Sequence, residues 1–242
     1  MVEGWVENPY WQYFCGGPFF EHRFPIDPSS MTRFKDRLKK AGLEELLKEM
    51  IRTGLRGGFI KSSELKRVNV DTTVQEKEVL FLTDTRLYNR CYEFGCKVGI
   101  ATTSKENWAL ASLAFHGNAY DGHTLKQTLD QVTRVTGIEP LQVAVDLGYR
   151  GHNYEGDCKV LIANRYWKSI PASLKRWWKR RSAVEPVIGH MKHEHGMERN
   201  RLKGKAGDFV NAMLSACGYN LRKLFRAIAR FFAPIFYWLL DL

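Results

Sequence analysis

Three acidic residues stand in contexts that suit the chemistry of phosphodiester bonds. Asp71 follows the largely apolar run Val68–Val70, and Asp146 follows a second apolar run, Leu141–Val145. Glu185 lies inside a basic stretch with helical spacing. Carboxylates are preferred ligands of Mg²⁺, and a metal pair can stabilise the attacking and leaving oxygens of a displacement at phosphorus. The three residues therefore predict a divalent-metal site, although an Asp that ends a strand is also common in simple turns.

The helix predicted around Glu185 carries candidate phosphate contacts. Trp178 and Arg181 precede Glu185 by seven and four residues, and Lys192 follows it by seven, so all four share one helix face at about 100° per residue. Arg suits bidentate phosphate contacts, whereas Lys acts as a point charge. The same spacing occurs on solvent-exposed helices with ion pairs, so that interpretation stays open. Pro186 predicts a kink or a restart of the helix.

The basic residues predict a polyanionic partner. The formal net charge is +11, which favours nucleic acid or an anionic surface. Arg199, Arg201 and Lys203 form one basic run, and Trp177 and Trp178 interleave with another. Such runs can neutralise phosphates, and a Trp can stack on an exposed base. A solvated basic face is the alternative.

Other residue classes make weaker predictions. His190, His193 and His195 could belong to a zinc site, but their spacing favours polar residues on a helix face. Five scattered cysteines without a Cys-x-x-Cys motif predict reduced thiols in a cytosolic protein, packed as small apolar groups. The most apolar stretch, Phe231–Leu242, is too short to cross a bilayer, which takes roughly 20 residues.

The elements that must position the acids follow from apolar periodicity. The alternation of apolar and polar residues predicts a hairpin that turns at Thr103–Asn107, and Gly137 should end the helix that Asp121 opens. The predicted strands are Leu65–Thr73, Tyr92–Thr103, Trp108–His116, Leu141–Val145 and Lys159–Ala163. The predicted helices are Met31–Ile51, the one that begins at Asp121, Ser173–His195 and Gly207–Phe232.

This order of elements predicts an α/β fold with a ribonuclease H-like mixed sheet, flanked by helices and extended by helices at both ends. In such a sheet the first and fourth strands are neighbours, which would bring Asp71 and Asp146 together. The expected organisation is a helical region at 1–64 with possible DNA contacts, a catalytic domain at 65–200, and an amphipathic helix with an apolar tail at 201–242.

The chain resembles bacterial insertion-sequence transposases of the DDE type, in the group of insertion sequence five. The resemblance covers most of residues 5–230. Arg181, Glu185 and Lys192 fit the family signature Tyr-x2-Arg-x3-Glu-x6-Lys, with Trp178 in place of the Tyr. The stretches that carry the resemblance are Val70–Lys77, Tyr120–Leu125, Val145–Gly151, Arg181–Lys192, Arg199–Gly204 and Asn220–Leu224. Compared with relatives, the chain is expected to be abbreviated at its start and in the connection after Asp71.

The resemblance implies a function and a set of partners. Asp71, Asp146 and Glu185 would be the catalytic triad and would hold Mg²⁺, for which Mn²⁺ can substitute, while Arg181 and Lys192 would hold DNA. The implied activity is metal-dependent cleavage and strand transfer at the ends of an insertion sequence. The alternatives are an inactive remnant that only binds DNA and a nuclease without transfer activity. The expected partner is double-stranded DNA, bound by a homodimer or higher synaptic oligomer in the bacterial cytoplasm, at the nucleoid and without a membrane.

Overall fold

The computed structural model describes residues 6–14, 17–23, 27–77, 95–116, 119–162, 175, 177, 179–202 and 204–240. The chain divides into two compact units, residues 1–41 and residues 42–242. The expected domain boundaries after residues 64 and 200 stay predictions.

The first unit contains one short helix and the start of a second, and a buried glutamine bonds to the backbone between them. Helix α1 spans Pro9–Phe14, and helix α2 spans Pro28–Arg56. The buried Gln12 side chain donates to the Glu21 carbonyl and accepts from the Glu21 N–H, both at 2.7 Å. Asp27 Oδ1 accepts from the Ser29 N–H at 2.8 Å, which satisfies a free donor at the start of α2. The helix predicted for Met31–Ile51 therefore exists but begins three residues earlier, at Pro28.

In the described part of the chain, the second unit contains a mixed sheet, the end of α2 and three further helices. Residues 62–66 and 147–149 form short 3₁₀ turns. The strands are β1 Arg67–Lys77, β2 Gly95–Thr103, β3 Ala109–Phe115, β4 Gln142–Val145, β5 Lys159–Ile162 and β6 Arg199–Asn200. The helices are α3 Asp121–Thr136, α4 Val184–His195 and α5 Gly204–Leu240.

The strand order is β3-β2-β1-β4-β5, and β6 pairs with β1. Strands β1, β2 and β3 are antiparallel neighbours, whereas β4 runs parallel to both β1 and β5. The predicted hairpin and the predicted adjacency of the first and fourth strands are confirmed. Gly137 ends α3 at φ 70° with its N–H bonded to the Thr133 carbonyl, as its sequence position indicated.

Strand β1 is longer than predicted and presents different residues to its two faces. The predicted end at Thr73 is wrong, because β2 keeps pairing with β1 as far as Glu76 and β6 pairs with Lys77. Alternation along the strand sends Thr72 towards α3 and Asp71 towards the segment before α4. The sheet is thus flanked by helices on both faces.

A buried carboxylate fixes the far end of β1. Asp208 of α5 is fully buried and lies 3.1 Å from Lys77 Nζ and 3.3 Å from His116 Nδ1. Its other oxygen accepts from Asn200 Nδ2 at 2.6 Å. One side chain therefore joins the ends of β1, β3 and β6, which explains why the last residues of β1 stay in the sheet.

Side chains from the helices cover the outer edge of β3. Asn220 of α5 accepts from the Ala109 N–H at 3.0 Å and donates to the Ala109 carbonyl at 2.8 Å. Gln131 of α3 accepts from the Ser112 N–H at 2.9 Å. All of these polar groups are buried, so the edge is paired without another strand.

Three cysteines and the apolar C-terminal stretch fall within the described residues. Cys96, Cys158 and Cys217 are buried free thiols, and burial raises the pKa of each to about 12. This confirms the predicted small apolar role for these three, while Cys15 and Cys91 lie outside the described residues. Helix α5 continues to Leu240. Among the described residues, no helix has the length and apolar character needed to span a membrane.

Candidate active site

Asp71 and Asp146 lie side by side on neighbouring parallel strands. The pairing of β1 with β4 runs from Arg67 opposite Gln142 to Asn69 opposite Ala144, and extending this register by two residues puts Asp71 opposite Asp146. Neighbouring strands are about 4.8 Å apart. Asp146 follows the last residue of β4 as predicted, but Asp71 lies in the middle of β1 and does not end it. Because β1 continues past the end of β4, Asp71 within β1 lies next to Asp146, which directly follows β4.

A tight turn fixes the Asp146 carboxylate. Its Oδ1 accepts from the Gly148 N–H at 2.9 Å and caps the short 3₁₀ turn that follows β4. A Cβ atom added at Gly148 would lie 2.8 Å from Asp121 Oδ2 and 3.0 Å from Asp146 Oδ1. With glycine at this position, both carboxylates approach the turn closely, so a fourth acid, Asp121, lies at the border of the site.

Arg181 links Asp71 to Glu185. Its Nη1 lies 3.7 Å from Asp71 Oδ2, and its Nη2 lies 3.8 Å from Glu185 Oε1. One guanidinium thus contacts two carboxylates that are distant in sequence. Asp71 is largely buried, with 15% of its side chain exposed, whereas Glu185 is 62% exposed.

The continuous helix predicted for Ser173–His195 is wrong. Residues 181–183 form a 3₁₀ turn, and α4 begins only at Val184. Pro186 explains the break, because it has no N–H to donate to the Ser182 carbonyl but is tolerated in the first turn of a new helix. The predicted restart of the helix is therefore confirmed.

The environment of Asp71 disfavours its negative charge. Burial raises the pKa of Asp71 to about 6, and the nearby Asp146 and Glu185 carboxylates act in the same direction. The Thr72 N–H, which donates to Asp71 Oδ1 at 2.8 Å, and the Arg181 guanidinium lower the pKa. Asp71, Asp146 and Glu185 repel one another when all three are ionised, so a bound cation would stabilise their charged forms.

The donor chemistry of these residues fits a divalent cation, since hard cations bind carboxylate oxygens. The present geometry is not a ready-made ligand set: within the described residues, no group of three or more His, Cys, Asp or Glu side chains is arranged to hold a metal ion. Arg181 supplies the positive charge between Asp71 and Glu185 instead. The same holds for the zinc site considered at His190, His193 and His195: among the described residues, these histidines belong to no group that could hold a metal ion. His190 contacts Glu194 at 3.1 Å, as expected for a polar residue on a helix face.

A hydrogen-bond network behind Asp71 escaped the sequence analysis. Thr72 Oγ1 donates to Asp121 Oδ1 at 2.7 Å, and Lys97 Nζ lies 2.9 Å from the same oxygen. Lys97 also donates to the Ala119 carbonyl at 2.7 Å. This network fixes β1 and the start of α3 on the face of the sheet opposite Asp71. In the sequence, only Asp121 pointed to this network. The sequence analysis interpreted Asp121 as the start of a helix and as part of a stretch that resembles the transposase family.

The predicted DNA contacts lie around this site in part. Lys192 is on α4 two helical turns after Glu185 and forms no ion pair among the described residues. Arg199 and Arg201 are exposed on either side of the buried Asn200. Trp178 and Lys203 lie outside the described residues. Trp177 is only 6% exposed, which leaves little of its ring available to stack on a base.

Comparisons with known proteins agree with the later part of this site. Residues 165–225, which include Arg181, Glu185, Lys192, Arg199 and Arg201, match the family model of the transposase DDE domain. A Rhizobium meliloti protein, the uncharacterized ORF8 in the nfe locus, is 54% identical over 88 residues, which is 36% of this chain. The aligned part spans 42% of that relative's own length, less than half. No solved structure matches the chain significantly. The family match supports a DDE transposase.

Proposed function

We propose that this chain is a DDE transposase of the insertion-sequence-five type, which cuts DNA at the ends of an insertion sequence and joins those ends to target DNA. The observation that carries the proposal is Arg181, which contacts both Asp71 and Glu185 while Asp146 occupies the matching position on the adjacent strand. Asp146 and Glu185 both act electrostatically on Asp71, so the three carboxylates lie in one neighbourhood. The DDE-domain match over residues 165–225 supports the same conclusion.

The proposed chemistry needs cations at the three carboxylates. Mg²⁺ or Mn²⁺ ions held by Asp71, Asp146 and Glu185 would supply activation of the attacking oxygen and stabilisation of the leaving oxygen. Arg181 lies close enough to these acids to contact a phosphate bound beside them, and its planar fork suits two phosphate oxygens. Lys192, on the same face of α4 as Glu185, adds a point charge further along the DNA backbone.

The bond changes follow from two successive displacements at phosphorus. Water first attacks the phosphodiester at the end of the element, and the 3′-oxygen leaves as a 3′-hydroxyl while the other product keeps the 5′-phosphate. The freed 3′-hydroxyl then attacks a target phosphodiester, so that one P–O bond forms as another breaks. Neither step needs a covalent bond to the protein.

The proposal includes a ribonuclease H-like fold for residues 65–200. Its support is the strand order β3-β2-β1-β4-β5, with three antiparallel strands followed by two parallel ones. The flanking regions 1–64 and 201–242 are proposed to contribute DNA contacts and an amphipathic helix. The active form is proposed to be a synaptic dimer or higher oligomer on DNA at the bacterial nucleoid, with the connection from β1 to β2 shorter than in relatives.

Metal-dependent cleavage tests the function directly. The purified protein is incubated with supercoiled DNA that carries the inverted repeats flanking its own gene, with Mg²⁺, with Mn²⁺ or with a chelator. We expect nicking at the repeat ends with either metal ion and transfer of the cut ends to a second DNA. A protein that binds this DNA and never nicks it would support the inactive remnant, and nicking without joining would support a nuclease.

The basic run at Arg199, Arg201 and Lys203 makes a separate prediction. Reversal of these three charges to Glu should weaken binding to any duplex DNA, because phosphate contacts release counterions, and should lower the salt slope by about one per lost contact. Fluorescence anisotropy at several salt concentrations measures both quantities. The control reverses Arg56 and Lys126, which are exposed outside this run. Equal affinity and an unchanged slope in the triple variant would mean that the run is only a solvated surface.

A further inference from the structure

A basic cleft lies at the amino ends of β1 and β4, away from the three acids. Its volume is about 690 Å³. Four cationic side chains line it together with one acid and one indole: Lys66, Arg67, Lys105, Arg180, Glu64 and Trp177. The cleft is formed wholly within the unit that contains the sheet.

The cations of this cleft are not neutralised by the protein. Lys66, Arg67 and Arg180 are exposed, and none of them forms an ion pair in the described part of the chain. Lys105 lies 3.7 Å from Glu106 in an exposed pair of low expected strength. Glu64 is 8% exposed, and burial raises its pKa. It is the one acid among the residues that line the cleft, against four cations. The cleft therefore carries an excess of positive charge that suits a polyanion.

The backbone that carries these cations is held on both sides. The Lys66 carbonyl accepts from the Leu141 N–H at 2.9 Å, and the Arg67 carbonyl accepts from the Ser104 N–H at 3.2 Å. The Arg180 carbonyl accepts from Asn69 Nδ2 at 3.1 Å. The positive charges thus stand on a fixed frame, which lowers the entropy cost of binding a ligand.

The cleft and the proposed active site are joined along the chain at two places. Arg67 lies four residues before Asp71 on β1, a distance of roughly 13 Å at about 3.3 Å per residue. Arg180 directly precedes Arg181 in the chain. The Arg180 side chain lines the cleft, and the Arg181 guanidinium contacts Asp71. A duplex that passes from the acids to the cleft would cover this distance in about four base pairs at 3.4 Å each.

We propose that this cleft binds the sugar–phosphate backbone of duplex DNA about four base pairs from the bond that is cut. This proposal depends on the proposed function in one respect only, the position of the bond that is cut. The recognition is by charge, so the contact is independent of DNA sequence. The cleft adds Lys66 and Arg67, which neither the family match nor the basic runs identified, to the DNA-binding surface.

Neutralisation of two cleft residues tests the proposal. The Lys66→Gln/Arg67→Gln variant should bind duplex DNA roughly tenfold more weakly per lost charge-assisted contact and show a salt slope smaller by about two. The matched control, Arg56→Gln/Lys126→Gln, removes the same charge from positions that do not line the cleft and should keep the wild-type slope. Anisotropy with a labelled duplex measures affinity, and circular dichroism checks that both variants fold.

The outcomes separate this proposal from the proposed function. Footprinting with the wild-type protein should show protected phosphates about four base pairs from the cut, and the cleft variant should lose that protection alone. Loss of DNA affinity in the cleft variant of a protein that never nicks DNA would keep the cleft assignment and overturn the catalytic one. Equal affinity and slope in the cleft and control variants would overturn the cleft assignment, as would a loss confined to RNA duplexes.

Discussion

Glu185→Gln should abolish metal-dependent cleavage and leave DNA binding unchanged or tighter. Gln keeps the shape of the side chain but removes the charge that would hold a cation, and it lessens repulsion of phosphate. The loss of several kcal/mol of transition-state stabilisation, at tenfold per 1.36 kcal/mol, corresponds to roughly a thousandfold or more in rate. A single-turnover cleavage assay and an anisotropy titration on the same DNA measure the two effects separately.

The same helix provides the control for this substitution. Glu194→Gln makes an identical chemical change nine residues later on α4, where the carboxylate contacts His190 and Arg222 and not the acids of the site. It should retain cleavage. Comparable losses in both variants would show that the charge of α4 matters only for structure, and cleavage by Glu185→Gln at the wild-type rate would remove Glu185 from the triad.

Arg181→Ala should behave differently from Glu185→Gln. Its guanidinium contacts Asp71 and Glu185 but is not itself a metal ligand, so the carboxylates survive its removal. We expect weaker DNA positioning and a partial loss of cleavage. Complete loss of cleavage with full DNA affinity would assign Arg181 a role at the reacting atoms rather than in holding DNA.

Asp71→Asn should stabilise the metal-free protein, with an effect that grows with pH. The folded protein raises the pKa of Asp71 to about 6, above its ordinary value of 3.8, so the folded state binds this proton more tightly than the unfolded state. The stability contributed by that proton is present at low pH and is lost as pH rises through about 6. A shift of this size corresponds to about 2–3 kcal/mol at neutral and higher pH, which Asn would restore.

Urea unfolding in the presence of a chelator measures this effect. The difference in free energy of unfolding between wild type and Asp71→Asn should be largest near about pH 8 and shrink towards about pH 4.5. Asp130→Asn, at an exposed position of α3, removes the same charge from solvent and is the matched control. A wild-type protein that is as stable as Asp71→Asn across this range would contradict the cost assigned to the buried carboxylate.

Patterns within short sequence segments were enough to predict much of the sheet. Alternating residues and a polar turn indicated the β2–β3 hairpin, and Gly137 marked the end of α3, because both signals depend only on neighbours in sequence. The strand order predicted that Asp71 and Asp146 belong to neighbouring strands, but not that Asp71 lies within β1. These features are properties of short segments and of the rules by which such segments connect.

The features that sequence did not reveal depend on partners that are distant along the chain. Strand β1 continues past Thr73 because β2 and β6 pair with its last residues. Asp121 joins Thr72 across 49 positions of the chain. The burial of Trp177 likewise follows from packing. The spacing of Arg181 and Glu185 left an ion pair between them as one interpretation, but it gave no sign that the same guanidinium reaches Asp71.

The covered edge of β3 limits how copies of this protein can assemble. A second chain could extend the sheet at that edge only by displacing Asn220 from Ala109 and Gln131 from Ser112, at the loss of three hydrogen bonds with buried partners. Continuous intermolecular β-sheets are therefore disfavoured on this side of the molecule. In the proposed synaptic complex, the subunits would therefore not join through this edge of the sheet, and other contacts of the protein or the DNA itself would hold the two DNA ends together.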